Sequence, residues 1–413
     1  MVAEVIINSI VKNLNRIFDY NIPKELEDDV KVGSRVLVPF GRQKQLEDAF
    51  VINIKENSEY EIKDIQKVEE QAFSKENIEL AKWMSKRYFC NISDSLKLML
   101  PPGTSTKIID NRVKEKTANF IYLKKSAEEI ENDIENKVLK SEKQIRILKF
   151  LQNNDEVLFS DLEMFVEATR AVVKTLEKNG YIEIISKEVK RNPFINKDIE
   201  KDEKRKLTEE QEKVVNEINK SIKNEEYKEF LIYGVTGSGK TEIYMQLIEE
   251  VINKNKSAIV LVPEISLTPQ MVNRFIARFG QEKIAVLHSK LSVGERFDEW
   301  NRIKQDEAKI VIGARSAIFA PVKDLGIIII DEEHDDSYKS EMSPRYNAKE
   351  ISRIIAENQN MPLILGSATP ALDSFYKAEK GDIELLELTK RANNSNLPDV
   401  KIVDLRQELA ERE

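Results

Sequence analysis

The sequence is short of the residues that build most metal and redox sites: one cysteine, Cys90, and two histidines, His288 and His334, in 413 residues. That inventory excludes a disulfide framework or a Cys/His zinc site built from this chain. An excess of positive charge is also missing. With 65 Lys and Arg against 73 Asp and Glu, the net charge of −8 excludes a uniformly basic nucleic-acid binder, though not local basic patches. No apolar run is long enough to span a bilayer, and the N-terminus MVAEVIINSIVKNLNRIFDY lacks a signal peptide's continuous apolar core. These absences point to a reducing cytoplasm and away from the membrane. At 41% hydrophobic and 33% charged, the chain is composed as a globular protein. Its length allows roughly two to four domains.

What is present is organised around residues 230–241, FLIYGVTGSGKT. A short apolar run enters a Gly-rich turn that opens a helix, and Gly234, Gly239, Lys240 and Thr241 fit G-x-x-x-x-G-K-[ST]. Glycines admit phosphate oxygens close to the backbone N–H groups, and a helix N-terminus adds partial positive charge. The candidate nucleotide contacts are therefore Gly234, Thr236, Gly237, Ser238, Gly239, Lys240 and Thr241. Lys240 would neutralise the β- and γ-phosphates of ATP, and the Thr241 hydroxyl would ligate Mg²⁺.

From residue 207 onward, apolar runs at 230–233, 257–262, 283–287, 309–312, 326–330 and 361–365 alternate with helical spacings. Runs rich in Ile, Val and Leu suit strands buried on both faces, and their alternation with helices predicts an α/β, doubly wound parallel sheet. Ligands of such sheets gather at the carboxyl ends of the strands. Asp331, Glu332, Glu333 and His334 directly follow the run GIIII. Asp331 would hold Mg²⁺, and Glu332 would orient or deprotonate an attacking water. In GSATP, Gly366, Ser367 and Thr369 would couple that acidic cluster, with His334, to the γ-phosphate.

Upstream, residues 1 to about 70 read as short strands punctuated by Pro23, Gly33, Pro39 and Gly41, a small β-barrel or sandwich. Residues 74–100 switch to helical spacing and stop at Pro101-Pro102-Gly103. From Ser141 to Ile185 the pattern predicts three short helices and a strand. Ser160 and Glu163 form a candidate capping box, and Gly180 a C-terminal stop. This is a winged-helix pattern, which serves either DNA contact or protein contact. Residues 191–206 are charged and read as a linker.

Taken together, GVTGSGKTEIY, LVPEISLTPQ, HSKLSVGERFDEW, GARSAIFAPVKDLGIIIIDEEHDDSYKSEMSPRYNAKEIS and GSATPALDSF resemble the PriA family. These are the primosomal N′ proteins, superfamily 2 DNA helicases of replication restart. FDYNIP at 18–23, GSRVLVPFGR at 33–42, and the stretch from LAKWMSKRYFC to LMLPPG at 80–103 resemble its N-terminal DNA-binding domain. The acidic LEDAF replaces a glycine usually found after PFGR. The resemblance implies a 3′-end DNA-binding domain at 1–105, a winged helix at 115–190, a first RecA-like lobe at 207–392, and the start of a connection to a second lobe at 393–413.

By the same resemblance, Phe18, Asp19, Gly41 and Lys63 would form a pocket for a nascent strand's 3′ end. Gln211 of LTEEQ would contact adenine, although that segment also reads as an ordinary helix N-cap. Arg315 and Tyr338 would lie on a single-strand track, Tyr338 by stacking on bases. The implied cofactors are ATP and Mg²⁺, and the implied partners are forked DNA, single-stranded DNA, single-strand-binding protein and primosome proteins. Family members carry zinc-binding cysteine clusters and a second lobe that this sequence does not contain, so it reads as an N-terminal portion. Two functions stay open for it: part of an ATP-driven helicase, or a nucleotide-sensing platform that binds forks without unwinding.

Overall fold

The computed structural model describes residues 1–7, 16–41, 45–102, 117–139, 141–152, 157–166, 168–188 and 201–392. Alternating apolar residues make β1 (Val2–Ile7), β2 (Ile17–Asn21), β3 (Ser34–Phe40), β4 (Gln45–Lys55), β5 (Lys63–Asp64) and β6 (Lys67–Gln71). They form one sheet in the order β5-β2-β1-β4-β3-β6. Its two edges meet. Ile65 N donates to Asn21 O of β2, while the next residue, Gln66, donates from N to Leu37 O of β3. Consecutive residues thus join opposite edges and close a barrel, which decides between barrel and sandwich. Period-2 alternation sends Ala3, Val5 and Ile7 into the barrel core and Ile6 to the outside.

Helix α1 (Lys75–Tyr88) starts at a capping box of Ser74 and Asn77, and α2 (Ile92–Lys97) follows it. Ile78, Ala81 and Met84 of α1 cover the barrel's outer residues Ile6, Phe50 and Ile52, in a cluster that continues beneath the C-terminal sheet. At the end of α1, Arg87 pairs with Glu350 at 2.7 Å and the Tyr88 hydroxyl donates to the same carboxylate at 2.9 Å. The barrel and the C-terminal lobe accordingly belong to one unit, and residues 113–193 form another.

That second unit contains β7 (Thr117–Leu123), α3 (Ala127–Glu135), α4 (Glu142–Gln152), β8 (Val157–Leu158), α5 (Phe159–Val166), α6 (Arg170–Lys178) and β9 (Ile182–Glu188). Helices α4 to α6 and strand β9 fall where the sequence pattern puts them, and Gly180 has φ +75° just past α6. Strand β7, which pairs with β9 over seven residues, and the acidic α3 were not expected. The Ser160 side chain lies outside the described residues.

The C-terminal lobe alternates α7 (Glu209–Asn224), β10 (Lys228–Gly234), α8 (Lys240–Asn253), β11 (Ser257–Leu261), α9 (Pro269–Phe279), β12 (Ile284–Leu287), α10 (Val293–Lys304), β13 (Ile310–Gly313), β14 (Leu325–Asp331), α11 (Ala348–Asn358), β15 (Pro362–Ser367), α12 (Leu372–Lys380) and β16 (Glu384–Leu388). All its strand pairs are parallel, in the order β12-β13-β11-β14-β15-β10-β16. The six expected strands are present, and β16 is an addition at the edge. The central strands are buried along their length, as helices on both faces require.

Candidate nucleotide site and candidate strand-end pocket

Neighbouring strands β14, β15 and β10 carry the three expected motifs at their carboxyl ends. Asp331 is opposite Gly366, and Ser367 is opposite Tyr233 just before the Gly-rich turn. The parallel register therefore sets the phosphate loop, the acidic cluster and GSATP side by side, although they lie far apart in sequence. In the loop, Gly237 and Gly239 have φ of +82° and +87°, left-handed values that favour glycine. A Cβ on Gly239 would also meet Gln211 Nε2 at 2.3 Å. Lys240 opens α8 and is nearly buried; its Nζ donates to Gly234 O at 2.8 Å. Burial pushes its ammonium below the ordinary range, against the pull of Glu332 and Asp331.

The acidic end of β14 is tied to both neighbours. Desolvation raises the Asp331 carboxyl above its usual range, and the Tyr244 hydroxyl, donating at 2.9 Å, opposes that. Tyr244 belongs to the phosphate-loop helix, so it links the two motifs directly. Room for it exists only because residue 366 is glycine: a Cβ there would lie 1.7 Å from the Tyr244 oxygen. Glu332 adopts a left-handed φ of +45°, an uncommon conformation that concentrates at functional sites. His334 Nδ1 lies 2.8 Å from Ser367 Oγ, which also accepts from Thr369 N at 3.0 Å. The coupling residues thus make contact. Glu333, fully buried, accepts from Lys349 Nζ, Ala371 N and Ser374 Oγ, binding the acidic cluster to α11 and α12.

One expectation changes here. Tyr338 is 1% exposed, and its hydroxyl donates to Leu261 O and Asp331 O. It cannot stack on a base; it is a core residue bracing the ends of β11 and β14, because its ring fills the space beneath them. Arg315 is half-buried, and its Nη1 donates to Ser337 O and Lys339 O, so it holds the following loop together. Gln211 does two things at once. Its Oε1 completes a capping box with Thr208 N, while Nε2 donates to Ser238 O at 2.7 Å inside the phosphate loop. Beyond β16, Thr389 and Lys390 donate to Glu210, and Ala392 N donates to Gly237 O at 3.0 Å. Among the described residues no group of three or more His, Cys, Asp or Glu is arranged to hold a metal.

The barrel presents a second candidate. Phe18, Asp19, Phe40, Gly41, Glu61 and Lys63 line one open pocket of about 340 Å³. Four of these are the residues carried over from the family pattern, gathered by strand pairing from β2, β5 and the turn just after β3. Phe18 and Phe40 meet edge-to-face with centroids 5.2 Å apart. Lys63 Nζ reaches Gly41 O at 3.4 Å. Asp19 is paired with Lys55 at 2.8 Å and accepts from Ser58 Oγ at 2.6 Å. The sequence alone did not mark Tyr244, Lys55 or Ser58, and it gave Glu333 no role of its own within the acidic cluster. The available signal for Tyr244 was its place four residues after Lys240, on the same helix face.

These features define a RecA-like P-loop lobe fused to a β-barrel with an aromatic and acidic pocket. The PriA family model of the 3′DNA-binding domain (3′BD) matches residues 4–101, and that of the Type III restriction enzyme res subunit matches 204–372. The replication restart protein PriA of Bacillus subtilis (strain 168) is 39% identical over 469 aligned positions, covering 98% of this chain and 58% of that protein. The protein of the same name from Chlamydia muridarum is 35% identical, covering 98% and 54%. That of Synechocystis is 41% identical over 275 positions, covering 65% and 32%. The chain belongs to the PriA family and spans little more than half the length of the first two relatives.

Proposed function

We propose that this chain supplies the ATP-binding lobe and the strand-end pocket of an ATP-dependent DNA helicase of replication restart. The observation that carries this is the register of β14, β15 and β10, which juxtaposes the phosphate loop, the DEEH cluster and GSATP. The loop fits a nucleotide. Gly237 and Gly239 supply the left-handed backbone of such a loop, and Ser238 Oγ is buried without a partner among the described residues. Lys240 would exchange Gly234 O for a phosphate oxygen, and Thr241 with Asp331 would hold Mg²⁺. That ion, when bound, neutralises charge on the transferring phosphoryl group. Glu332 would orient the attacking water and take its proton. His334 and Ser367 would report the state of the γ-phosphate to the GSATP loop, and Glu333 would pass movement to α11 and α12. Gln211 would release Ser238 O to meet adenine.

In the barrel, Phe18 would stack on a terminal base and Asp19 would accept from a 3′-hydroxyl. Forked DNA with a free 3′ end is then the preferred ligand, with single-stranded DNA beyond it. The unit at 113–193 would act as a winged helix. Cytoplasmic location and contacts with single-strand-binding protein and primosome proteins follow from the family reading.

The test is calorimetric titration of ATP–Mg²⁺ into the chain, its Lys240→Ala variant and its Glu332→Gln variant. Lys240→Ala is expected to lose binding and Glu332→Gln to keep it. Unchanged affinity in Lys240→Ala would sink the assignment of the loop.

A further inference from the structure

Asp19 stands directly across from Glu4 in the pairing of β2 with β1, and Glu4 stands across from Asn53 of β4. Two carboxylates opposed in this way repel, so stability alone would not favour the arrangement. Lys55 relieves it, with Nζ 2.9 Å from Glu4 Oε1 and 2.8 Å from Asp19 Oδ2. Asn53 holds the other Glu4 oxygen at 3.0 Å. The same Asp19 oxygen, Oδ2, accepts from Ser58 Oγ. Both donors therefore grip one oxygen, and Asp19 Oδ1 carries no hydrogen bond among the described residues. Ser58 Oγ also accepts from Tyr60 N, which ties Asp19 to the turn leading into Glu61, Ile62 and Lys63 on the pocket wall.

We propose that Lys55 and Ser58 are positioning residues of the pocket: by fixing Asp19 through Oδ2, they reserve Oδ1 for a neutral hydroxyl donor at a nucleic-acid 3′ end. The proposal rests on the reading of the pocket as a 3′-end site. Two physical consequences separate it from a plain ion pair between strands. The first is geometric: a carboxylate held at one oxygen is pre-organised, so binding pays little to orient it. The second is electrostatic. Burial would raise the Asp19 carboxyl, but hydrogen bonds from Lys55 and Ser58 outweigh it and hold the group below the usual carboxylate range. Glu4, held low by Asn53 and Lys55, shares the same cation. Glu61 and Lys63 on the pocket wall, and Asp64 beside them on β5, complete the charged surroundings. Asp19 thus stays an acceptor under mildly acidic conditions. One lysine shared by two carboxylates leaves the group net negative, so it offers nothing to a terminal phosphate.

The experiment uses the full 413-residue chain and one single-stranded oligonucleotide prepared with a 3′-hydroxyl, a 3′-hydrogen or a 3′-phosphate. Affinities are measured by fluorescence anisotropy between pH 4 and pH 8. The wild type is expected to prefer the 3′-hydroxyl and to keep that preference across the whole range, because Asp19 is held below the ordinary carboxylate range. Lys55→Met should lose about tenfold of the preference for 3′-hydroxyl over 3′-hydrogen, the worth of one charge-assisted hydrogen bond. Its remaining preference should fade at a higher pH than in wild type. Lys55→Arg should restore both, and Ser58→Ala should show a smaller loss in the same direction. Thermal melting of each variant confirms that the barrel is folded. An equal loss on all three oligonucleotides would make Lys55 a phosphate contact, and a preference unchanged at every pH would make it a strand-to-strand ion pair. Either result overturns the proposal. A wild type indifferent to the 3′ group would instead refute the pocket reading itself, a distinguishable failure.

Discussion

The lobe and the barrel each place an aspartate at the mouth of a site, and they treat it in opposite ways. Asp331 closes a buried parallel strand, and loss of hydration pushes its carboxyl up despite the Tyr244 hydroxyl and the nearby Lys240. Asp19 sits on the wall of an open pocket, where a lysine and a serine pull its carboxyl down. An acid stripped of hydration favours an arriving cation, whereas one held by hydrogen bonds at one oxygen favours a neutral donor at the other. The first arrangement suits a Mg²⁺–nucleotide, and the second suits a hydroxyl. The same residue type serves two chemistries because the surrounding sheet differs.

Several variants would break or sharpen that contrast. The largest effect is expected from Lys240→Ala, which removes a charge-assisted phosphate contact. ATP–Mg²⁺ affinity should fall about 100-fold, while binding of a 3′-hydroxyl oligonucleotide to the barrel is unchanged. Loss of both would mean the two sites are not separable. Next comes Gly366→Ala, whose methyl would collide with the Tyr244 oxygen. Overpacking of this kind costs about 1–3 kcal/mol, read as a lower denaturation midpoint. A neutral result would show that the Tyr244–Asp331 contact is loose.

Tyr338→Phe removes the hydroxyl that donates to Leu261 O and Asp331 O. A loss of about 1 kcal/mol in urea denaturation is expected, with oligonucleotide affinity unchanged. An unchanged midpoint would show that this hydroxyl does not brace the ends of β11 and β14. The smallest effect belongs to the barrel's charges. Asp19 and Glu4 both have folded values below their unfolded ones. They add stability above the unfolded carboxylate range, and that stability is lost as pH falls through the folded values. Lys55→Met should therefore flatten the acid limb of the stability–pH curve. An identical limb would show that Lys55 does not set those carboxyls.

Where chemistry depends on residues close together in the chain, it was legible. The Gly-rich turn, the acidic end of β14 and the six lobe strands announce themselves through local composition and period. The barrel pocket was legible only as a family resemblance, because Phe18, Gly41 and Lys63 come from two strands and a turn with no local signature of convergence. Tyr338 misled for a related reason. An aromatic in a polar, charged stretch reads as exposed, and only the packing under β11 and β14 shows that it is core.

By itself, then, the sequence determined six strands of the lobe and where a phosphate could be cradled, because those properties follow from side-chain period and backbone freedom within a few residues. The partner of each acid was decided only by the tertiary structure. Tyr244 reaches Asp331 across 87 positions of sequence, and Lys55 bridges Glu4 and Asp19 across three strands. Whether a carboxylate waits for a metal ion or for a hydroxyl depends on the water and charges around it, and strand register sets those.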